Sequence, residues 1–453
     1  MERTTFEGET MIESVSVVGL GKLGSCVAAC MASKGMRVVG VDVNPDTVRL
    51  VNEGHSPVVE PGLQGLLETS HGALTATMDT RSAVLKTDAT FIIVPTPSDA
   101  SGGFSLEYVL EAVVEIGRAL RQKAEYHLVV VTSTVLPGAA EHEIRPVLER
   151  ESGKRCGQDF GLCYNPEFIA LGSVIHDLMN PDLVLVGESD ERSGSALAEW
   201  YGKFCDNSPQ VVRTNLVNAE IAKISVNTFV STKITFANML ASICEQVEGG
   251  DVDAVARALG LDSRIGRRYL TGALSYGGPC FPRDNRALAH FGEKLGCNVA
   301  LLETTDAVNR ALVQRHIDRI RCLARPGMTV GVLGLAYKPD TNVVEDAAGI
   351  AIASSLADGG GRVLVFDRLA MDNAQRILGS RVRYAASLAE CVGASDLAVI
   401  TNPCAEFRAL GPVDFPRRDR HIVVFDCWRI LRDKLESCPW IDYVAIGVGE
   451  SPT

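Results

Sequence analysis

The chain has no apolar run long enough to cross a bilayer: stretches such as Phe91–Val94 and Leu128–Val131 are of strand length. It is also short of positive charge. Lys and Arg number 44 against 56 Asp and Glu, a formal net charge of −12 over 453 residues. Without a basic footprint, nucleic acid is not an expected partner, and neither is a membrane. An anionic substrate would need local cations strong enough to outweigh that adverse field. Residues 1–13 are an acidic, polar tail in which no basic segment precedes an apolar core, so no secretory leader is expected. Thirteen cysteines are present, an odd number, and none stands in a Cys-x-x-Cys pair. Cys26 and Cys30 lie four apart in an apolar stretch and read as small core residues, and no metal site is expected. The expectation is a reduced, cytoplasmic protein in which at most one or two thiols do chemistry. What is present is ordinary for a folded globular chain, 46% hydrophobic and 22% charged.

From Ser14 the pattern runs strand, glycine turn, helix, strand: Val15–Val18, Gly19–Gly24, an apolar stretch to Lys34, then Arg37–Asp42. Further β-branched runs at Ala89–Val94, Leu128–Val131 and Leu183–Val186 are separated by helix-length segments such as Ser105–Ala124. Alternation of this kind implies a parallel sheet covered on both faces. After Thr214 the texture changes. Asn218 to about Glu248 holds no proline, and apolar residues recur every three or four positions, which predicts one long helix suited to a bridge or a dimer seam. More helix is expected at Asp251–Leu259, Asp284–Leu295 and Leu301–Leu323. The strand-helix alternation restarts at Arg325, with strands at Thr329–Leu333, Arg362–Asp367, Leu397–Ile400 and Ile422–Asp426 and a helix at Ala347–Asp358. The expected fold is thus α/β: an N-terminal Rossmann domain (14–214), a central all-α domain with a long helix (215–324) and a smaller Rossmann-like α/β domain (325–453).

Three constellations could carry chemistry. Gly19-x-Gly21-x-x-Gly24 follows a strand and opens a helix, the arrangement in which one glycine makes the tight turn, one admits a pyrophosphate and one lets helix and strand pack closely. Asp42 ends the next strand, where a carboxylate accepts ribose hydroxyls and repels a 2′-phosphate; NAD is expected rather than NADP. The second constellation is Gly277-Gly-Pro-Cys280-Phe-Pro-Arg283-Asp284, a cysteine on irregular backbone open to a ligand, with Arg283 adjacent to favour thiolate. The third is Glu220-Ile-Ala-Lys223-Ile-Ser-Val-Asn227, in which Lys223 and Asn227 project from one helix face and could hold an oxyanion or a water. A solvated lysine is the plain alternative there, as a buried structural thiol is for Cys280.

Taken in order, these pieces resemble the UDP-glucose/GDP-mannose dehydrogenase family, the nucleotide-sugar 6-dehydrogenases, from about Ser14 to Leu431. The resemblance also rests on Ser56-Pro-Val-Val-Glu-Pro-Gly-Leu63, Val94-Pro-Thr-Pro97, Ser133-Thr-Val-Leu-Pro-Gly138, Asn165-Pro-Glu-Phe168, Ser263-Arg-Ile-Gly266 and Gly334-Leu-Ala-Tyr-Lys-Pro339. It implies a four-electron, NAD-dependent oxidation of a sugar C6 alcohol to a carboxylate. Cys280 would capture the intermediate aldehyde as a thiohemiacetal, and the second hydride transfer would leave a thioester for water to hydrolyse. An acid product needs such covalent capture. By the same resemblance Lys223 and Asn227 would stabilise oxyanions, Asp284 would assist proton transfers, and Glu167 and Thr134 would position water or act as base. Gly19, Leu20, Gly21, Lys22, Leu23, Gly24, Asp42, Thr96, Thr134 and Arg283 would line the cofactor. Phe168, Ile169, Ala170, Leu171, Tyr269, Tyr276, Gly277, Lys338 and Arg429 would join Lys223 and Asn227 around the nucleotide sugar. Arg264 would reach the neighbouring subunit's site, making a homodimer the active unit.

Some positions depart from the family pattern. Leu171 stands where many relatives carry a second acid, Glu345 where an arginine is common, and Asp426-Cys427-Trp428-Arg429 replaces an Asp-Gly-Arg pattern. The leaning is toward a UDP-hexose, UDP-glucose to UDP-glucuronate, with GDP-mannose or a UDP-N-acetylhexosamine as alternatives. Two rivals stand against this: a two-electron hydroxyacid dehydrogenase, which needs no thiol and no third domain, and a non-catalytic nucleotide-sugar sensor, which would not need the intact Cys280–Asp284 motif.

Overall fold

Strands whose residues are apolar on both sides of the pleat must be covered on both faces, and the computed structural model, which describes residues 12–70, 72–99 and 102–449, shows this twice. The chain divides into two compact units between Ser225 and Val226. Most of the polar tail expected at 1–13 lies outside the described residues.

In the first unit the strands are β1 (Ser14–Val18), β2 (Arg37–Val41), β3 (Leu74–Thr77), β4 (Ala89–Ile92), β5 (His127–Val131), β6 (Phe160–Tyr164), β7 (Leu183–Glu188) and β8 (Gln210–Asn215). They form one sheet in the order β3-β2-β1-β4-β5-β6-β7-β8, whose first six strands have the dinucleotide-binding topology. Alternate residues serve opposite cores: Phe91, Leu128 and Val130 lie in one, Ile92, Val129 and Val131 in the other. Cys26 and Cys30 are fully buried in the first of these, as the apolar stretch suggested.

The expectation of a wholly parallel sheet needs correction, because β6 and β7 pair antiparallel. The link between them, residues 165–182, carries the short helix Val174–Met179.

The second unit builds another sheet from β9 (Thr329–Leu333), β10 (Arg362–Phe366), β11 (Arg383–Tyr384), β12 (Leu397–Ile400), β13 (Ile422–Asp426) and β14 (Ile441–Ala445). Its order, β11-β10-β9-β12-β13-β14, repeats that topology, and all its pairs are parallel.

The helices that position the site are α1 (Gly24–Ser33), α2 (Arg145–Ser152), α3 (Glu191–Phe204), α4 (Leu216–Cys244), α5 (Val252–Leu261), α6 (Phe281–Lys294), α7 (Ala300–Leu323) and α8 (Ala348–Asp358). The long helix starts two residues before its expected position and stops at Cys244, and a turn leads from there to Gly249-Gly250. Strands β3, β6, β8, β11 and β14 carry no pattern that marks them in the sequence.

The turn after β9 is held by Asp367, which is buried. Its Oδ2 accepts from the Leu335 and Ala336 amides at 2.8 and 3.1 Å, and its Oδ1 from Leu369 and Ala370, both at 2.9 Å. Asp367→Ala strands four amides, three of them buried. It is expected to lower the unfolding free energy of the second unit by about 3 kcal/mol or more, measured by urea titration of tryptophan fluorescence. An unchanged midpoint would remove Asp367 from this role.

Candidate functional site

The glycine turn of the first unit has the geometry its spacing suggested. Gly19 has φ +97°, a conformation that favours glycine, and a Cβ there would stand 2.4 Å from the Ile93 carbonyl oxygen. A Cβ at Gly24 would stand 1.8 Å from the Gly19 oxygen, so helix and strand can approach only through glycine. Gly21 faces open space, with nothing within 4 Å of the place a Cβ would occupy. Helix α1 opens there with no side-chain cap and no acidic residue in its first turn. Its partial positive charge is therefore left for an anion. Asp42 accepts from the Leu20 amide through Oδ2 and from the Asn44 amide through Oδ1, both at 2.8 Å, so each oxygen keeps a lone pair for a further donor. The residues fit a dinucleotide. Leu20 contributes only backbone to this turn, since its side chain is buried against Gly40, while Lys22 is exposed.

At the carboxyl ends of β5 and β6 the first unit gathers five of the expected residues. Ser133 is locked to the end of β4 by its hydroxyl, 2.7 Å from the Val94 oxygen and 2.9 Å from the Val94 amide. The Thr134 carbonyl accepts from the buried Thr96 hydroxyl at 2.7 Å. The Lys223 ammonium donates to the Glu167 carbonyl and lies 4.9 Å from the centre of the Phe168 ring. The Glu167 pKa is pushed up to about 7 by burial, against the opposing pull of the Tyr201 hydroxyl and the Lys223 charge. Tyr201, on α3, lies 3.0 Å from Glu167 Oε1 and 2.6 Å from Asn165 Oδ1; one hydroxyl proton serves one of them at a time. The Glu220 carboxylate, fully buried on α4, takes the Gly138 and Ala140 amides at 2.6 and 2.8 Å, and its pKa is likewise pushed up to about 7 by burial.

The loop after Phe168 is a packing element. Ile169 and Leu171 lie against the core of the first unit, so the leucine at a position where relatives carry an acid is a hydrophobic contact here. Ala170 is exposed. Glu60 grips the loop's continuation by accepting the Gly172 and Val174 amides, both at 2.9 Å, which gives the Ser56–Leu63 motif a structural reason.

In the second unit Cys280 is an exposed thiol at the N-terminus of α6, where the helix presents partial positive charge. Asp284, one turn on, is completely buried; its amide donates to the Cys280 carbonyl at 2.8 Å. Its carboxylate receives Asn227 Nδ2 at 2.6 Å on Oδ2, and Arg283 Nε and Nη2 at 3.0 and 2.9 Å on Oδ1. Arg283, expected beside the thiolate and the cofactor, is thus a clamp on Asp284. Tyr276 is buried and Tyr269 exposed with φ +66°, and both rings stand edge-on to Phe281 at 6.4 and 6.5 Å.

One expected ligand contact, that of Arg429, is corrected. A Cβ on Gly277 would fall 2.1 Å from the Asp346 carbonyl oxygen, and the Gly278 amide donates to the Glu345 carbonyl at 2.9 Å. These glycines admit the loop that follows Lys338. The departure Glu345 therefore lies against the cysteine loop through its backbone. Arg429 is buried with every N–H used: Nε and Nη2 fork onto Asp253 at 2.7 and 3.0 Å, and the rest reach the carbonyls of Thr271, Gly272 and Ile446 at 2.8 to 2.9 Å. It ties α5 to the strand ends and has no donor left for a substrate. Trp428 caps the Thr401 carbonyl through its indole N–H at 2.9 Å, at the carboxyl edge of the second sheet. Lys338 stands in the loop after β9, 5.9 Å from the Tyr337 ring centre. Arg264 is 87% exposed and pairs with Asp262.

Sequence reasoning missed Tyr201, Asp367 and the reach of Glu220. Tyr201 reads as one more core aromatic on an amphipathic helix, and only the fold brings it to Glu167. Among the described residues no cluster of His, Cys, Asp and Glu is arranged to hold a metal, and no helix is long and apolar enough to cross a membrane.

Comparison with known proteins agrees with this geometry. Residues 13–205, 217–311 and 331–433 match, in turn, the NAD binding, central and UDP binding domains described for the UDP-glucose/GDP-mannose dehydrogenase family. The chain is 36% identical over 421 residues to the UDP-glucose 6-dehydrogenase AglM of Haloferax volcanii, covering 92% of this chain and 97% of that protein. It is 35% identical over 406 residues to the GDP-mannose 6-dehydrogenase of Pseudomonas aeruginosa, covering 86% and 91%. A solved UDP-glucose dehydrogenase from Pyrobaculum islandicum superposes with a TM-score of 0.87 at 34% identity, over 98% of this chain and all of that one.

Proposed function

Because the chain belongs to the UDP-glucose/GDP-mannose dehydrogenase family and carries its NAD-binding domain, we propose that it oxidises the C6 alcohol of a nucleotide sugar to the carboxylate, UDP-glucose to UDP-glucuronate. The observation that carries the covalent scheme is the exposed Cys280 thiol at a helix N-terminus, with the buried Asp284 carboxylate one turn behind it. An enzyme stopping at the aldehyde would need no such nucleophile. Bound at Gly19–Gly24 and Asp42, NAD supplies the hydride acceptor.

The residues of the chain do the rest. Loss of a hydride and of the hydroxyl proton from C6 gives the aldehyde; Cys280 sulphur then adds to its carbon while the carbonyl electron pair moves to oxygen, giving a thiohemiacetal whose oxygen Lys223 and Asn227 stabilise. The thiol proton leaves to water, and Asp284, held by Arg283 and Asn227, assists that transfer. Loss of hydride leaves a thioester, and water, positioned by Thr134 and deprotonated by Glu167, attacks it to release the acid and return the thiol. On this reading 14–214 is the cofactor domain, 215–324 the central domain with the nucleophile, and 325–453 holds the nucleotide, with Lys338 near its phosphates. GDP-mannose is a second reading, supported by the nearly equal identity to a GDP-mannose 6-dehydrogenase. Thirteen thiols in one chain suit the reducing cytoplasm.

We assign a homodimer as the active unit. Phe229, Phe236, Met239, Ile243 and Val247 form an exposed apolar stripe at helical spacing along α4 and the turn after it, with Phe229 69% and Ile243 51% exposed. A second copy of this chain would cover it, and the exposed Arg264 would reach the neighbouring sugar. Phe236→Glu is expected to yield a monomer by light scattering with reduced turnover; a wild-type monomer would dismiss the assignment.

The chemistry is tested by counting NADH against sugar with a panel of UDP- and GDP-hexoses. Two NADH per sugar are expected from wild type, and Cys280→Ala should lose acid formation by about 1,000-fold or more while still binding NAD. Unchanged turnover in that variant would end the thioester scheme. The pH profile tests Glu167. As a base it works ionised, so turnover should be present above about pH 7 and fall as pH drops through that value. Tyr201→Phe removes an interaction that lowers the Glu167 pKa, and the acid limb should move to higher pH; a limb that stays put would separate Glu167 from the rate.

A further inference from the structure

Glu220 has no part in the chemistry just described, yet it is a fully enclosed carboxylate beside it. Its two oxygens converge on the Gly138 and Ala140 amides, at 2.6 and 2.8 Å. Those amides belong to the turn that follows Ser133-Thr134, where Gly138 has φ +93° and the chain enters a π-helical turn, Ala140–Ile144, continuous with α2. On its other side the same loop is fixed to the end of β4 through Ser133 and through the Thr96 hydroxyl on the Thr134 carbonyl. Glu220 is also one turn before Lys223 on α4, and Lys223 holds the Glu167 carbonyl.

The start of α4 is therefore fastened at two heights, by Glu220 to the loop after β5 and by Lys223 to the loop after β6. We propose that Glu220 is a positioning residue: it sets the height of α4 against the Thr134 loop, and so fixes Lys223, Thr134 and Glu167 relative to one another. The inference rests on the function proposed above.

A carboxylate suits this task because two converging N–H groups need two acceptors. An amide offers one, and turns its own N–H groups against the second donor. The local charges oppose the arrangement: Glu141 and Glu143, on the turn that Glu220 holds, add repulsion to the cost of burial. A helix cap needed for stability alone would be served by a neutral side chain. A charged one held there against repulsion gives a tighter and more directional grip.

Glu220→Gln is nearly isosteric and tests this. We expect a folded protein with NAD affinity within about two-fold of wild type, a KM for the nucleotide sugar little changed, and kcat lower by about 10- to 100-fold, the effect of small misplacement of reacting groups. A lowered melting temperature with kcat unchanged, or a loss confined to NAD affinity, would overturn the positioning role. Should that variant not fold, Glu220→Asp, which keeps the charge and shortens the reach, is judged by the same criteria. If wild type makes no NADH from any nucleotide sugar, the proposed function fails by itself, and Glu220 is read by hydrogen exchange. Faster exchange in Glu220→Gln across 132–136 and 165–168 as well as at Gly138 and Ala140 supports positioning. Faster exchange at those two amides alone overturns it.

Discussion

One hydrogen bond, from the first amide after a glycine turn to the aspartate ending the next strand, organises each half of the chain. In the first unit it runs from Leu20 to Asp42, in the second from Leu335 to Asp367, both at 2.8 Å. The turns around it correspond closely. Gly19 and Gly334 both have φ near +100°, both donate to the last residue of the neighbouring strand, and both bring backbone against the end of the strand across the switch point. Gly24 and Gly349 each let a helix start within contact of that turn's carbonyl. Two sheets of the same strand order follow from the same local constraint.

The copies then diverge in a way that separates their ligands. The paired glycines stand five positions apart in the first unit and fifteen in the second. In the first, Asp42 gives one bond per oxygen and keeps an acceptor for each ribose hydroxyl. In the second, Asp367 takes two amides on each oxygen and has nothing left to offer. The extra loop brings Lys338 and, through Glu345 and Asp346, braces the cysteine loop instead. A dinucleotide fits the first turn; the second, with its aspartate fully used, is built differently, and the contact proposed for Lys338 would come from the inserted loop.

What the sequence made legible follows from this. The Gly19–Gly24 turn and Asp42 could be read because each glycine answers a backbone demand within a few residues, and local demands leave local signatures. The Cys280–Asp284 run could be read as a nucleophile with a nearby acid because one helical turn joins them. Contacts closed by the fold left no such trace. The need for glycine at Gly277 and Gly278 comes from a loop some seventy residues on. Arg429 was expected at the nucleotide sugar and is a buried tie whose partners include Asp253, Thr271 and Gly272. Tyr201 carried no signal at all, and the reversal of β7 was hidden because the residues of a strand record its burial and not the direction in which it pairs.

The cluster at the ends of β5 and β6 is assembled against its own electrostatics. Burial raises both Glu167 and Glu220 to about 7 from an ordinary 4.5. A carboxyl whose folded pKa lies above its unfolded value stabilises the fold most when protonated, below about pH 4.5, and that contribution is lost as pH rises through about 7. In the role proposed for it as a base, Glu167 becomes useful over the same interval in which its burial begins to oppose folding. A chain with net charge −12 adds to the penalty. The countervailing forces are local and directional: the Tyr201 hydroxyl and the Lys223 charge for Glu167, two main-chain amides for Glu220. These hold the carboxylates in place without neutralising them outright, as a bidentate arginine would. A fully paired Glu167 would be ionised well below neutrality and correspondingly weak as a base. The incomplete compensation at Glu167 is what keeps its proton exchangeable near pH 7.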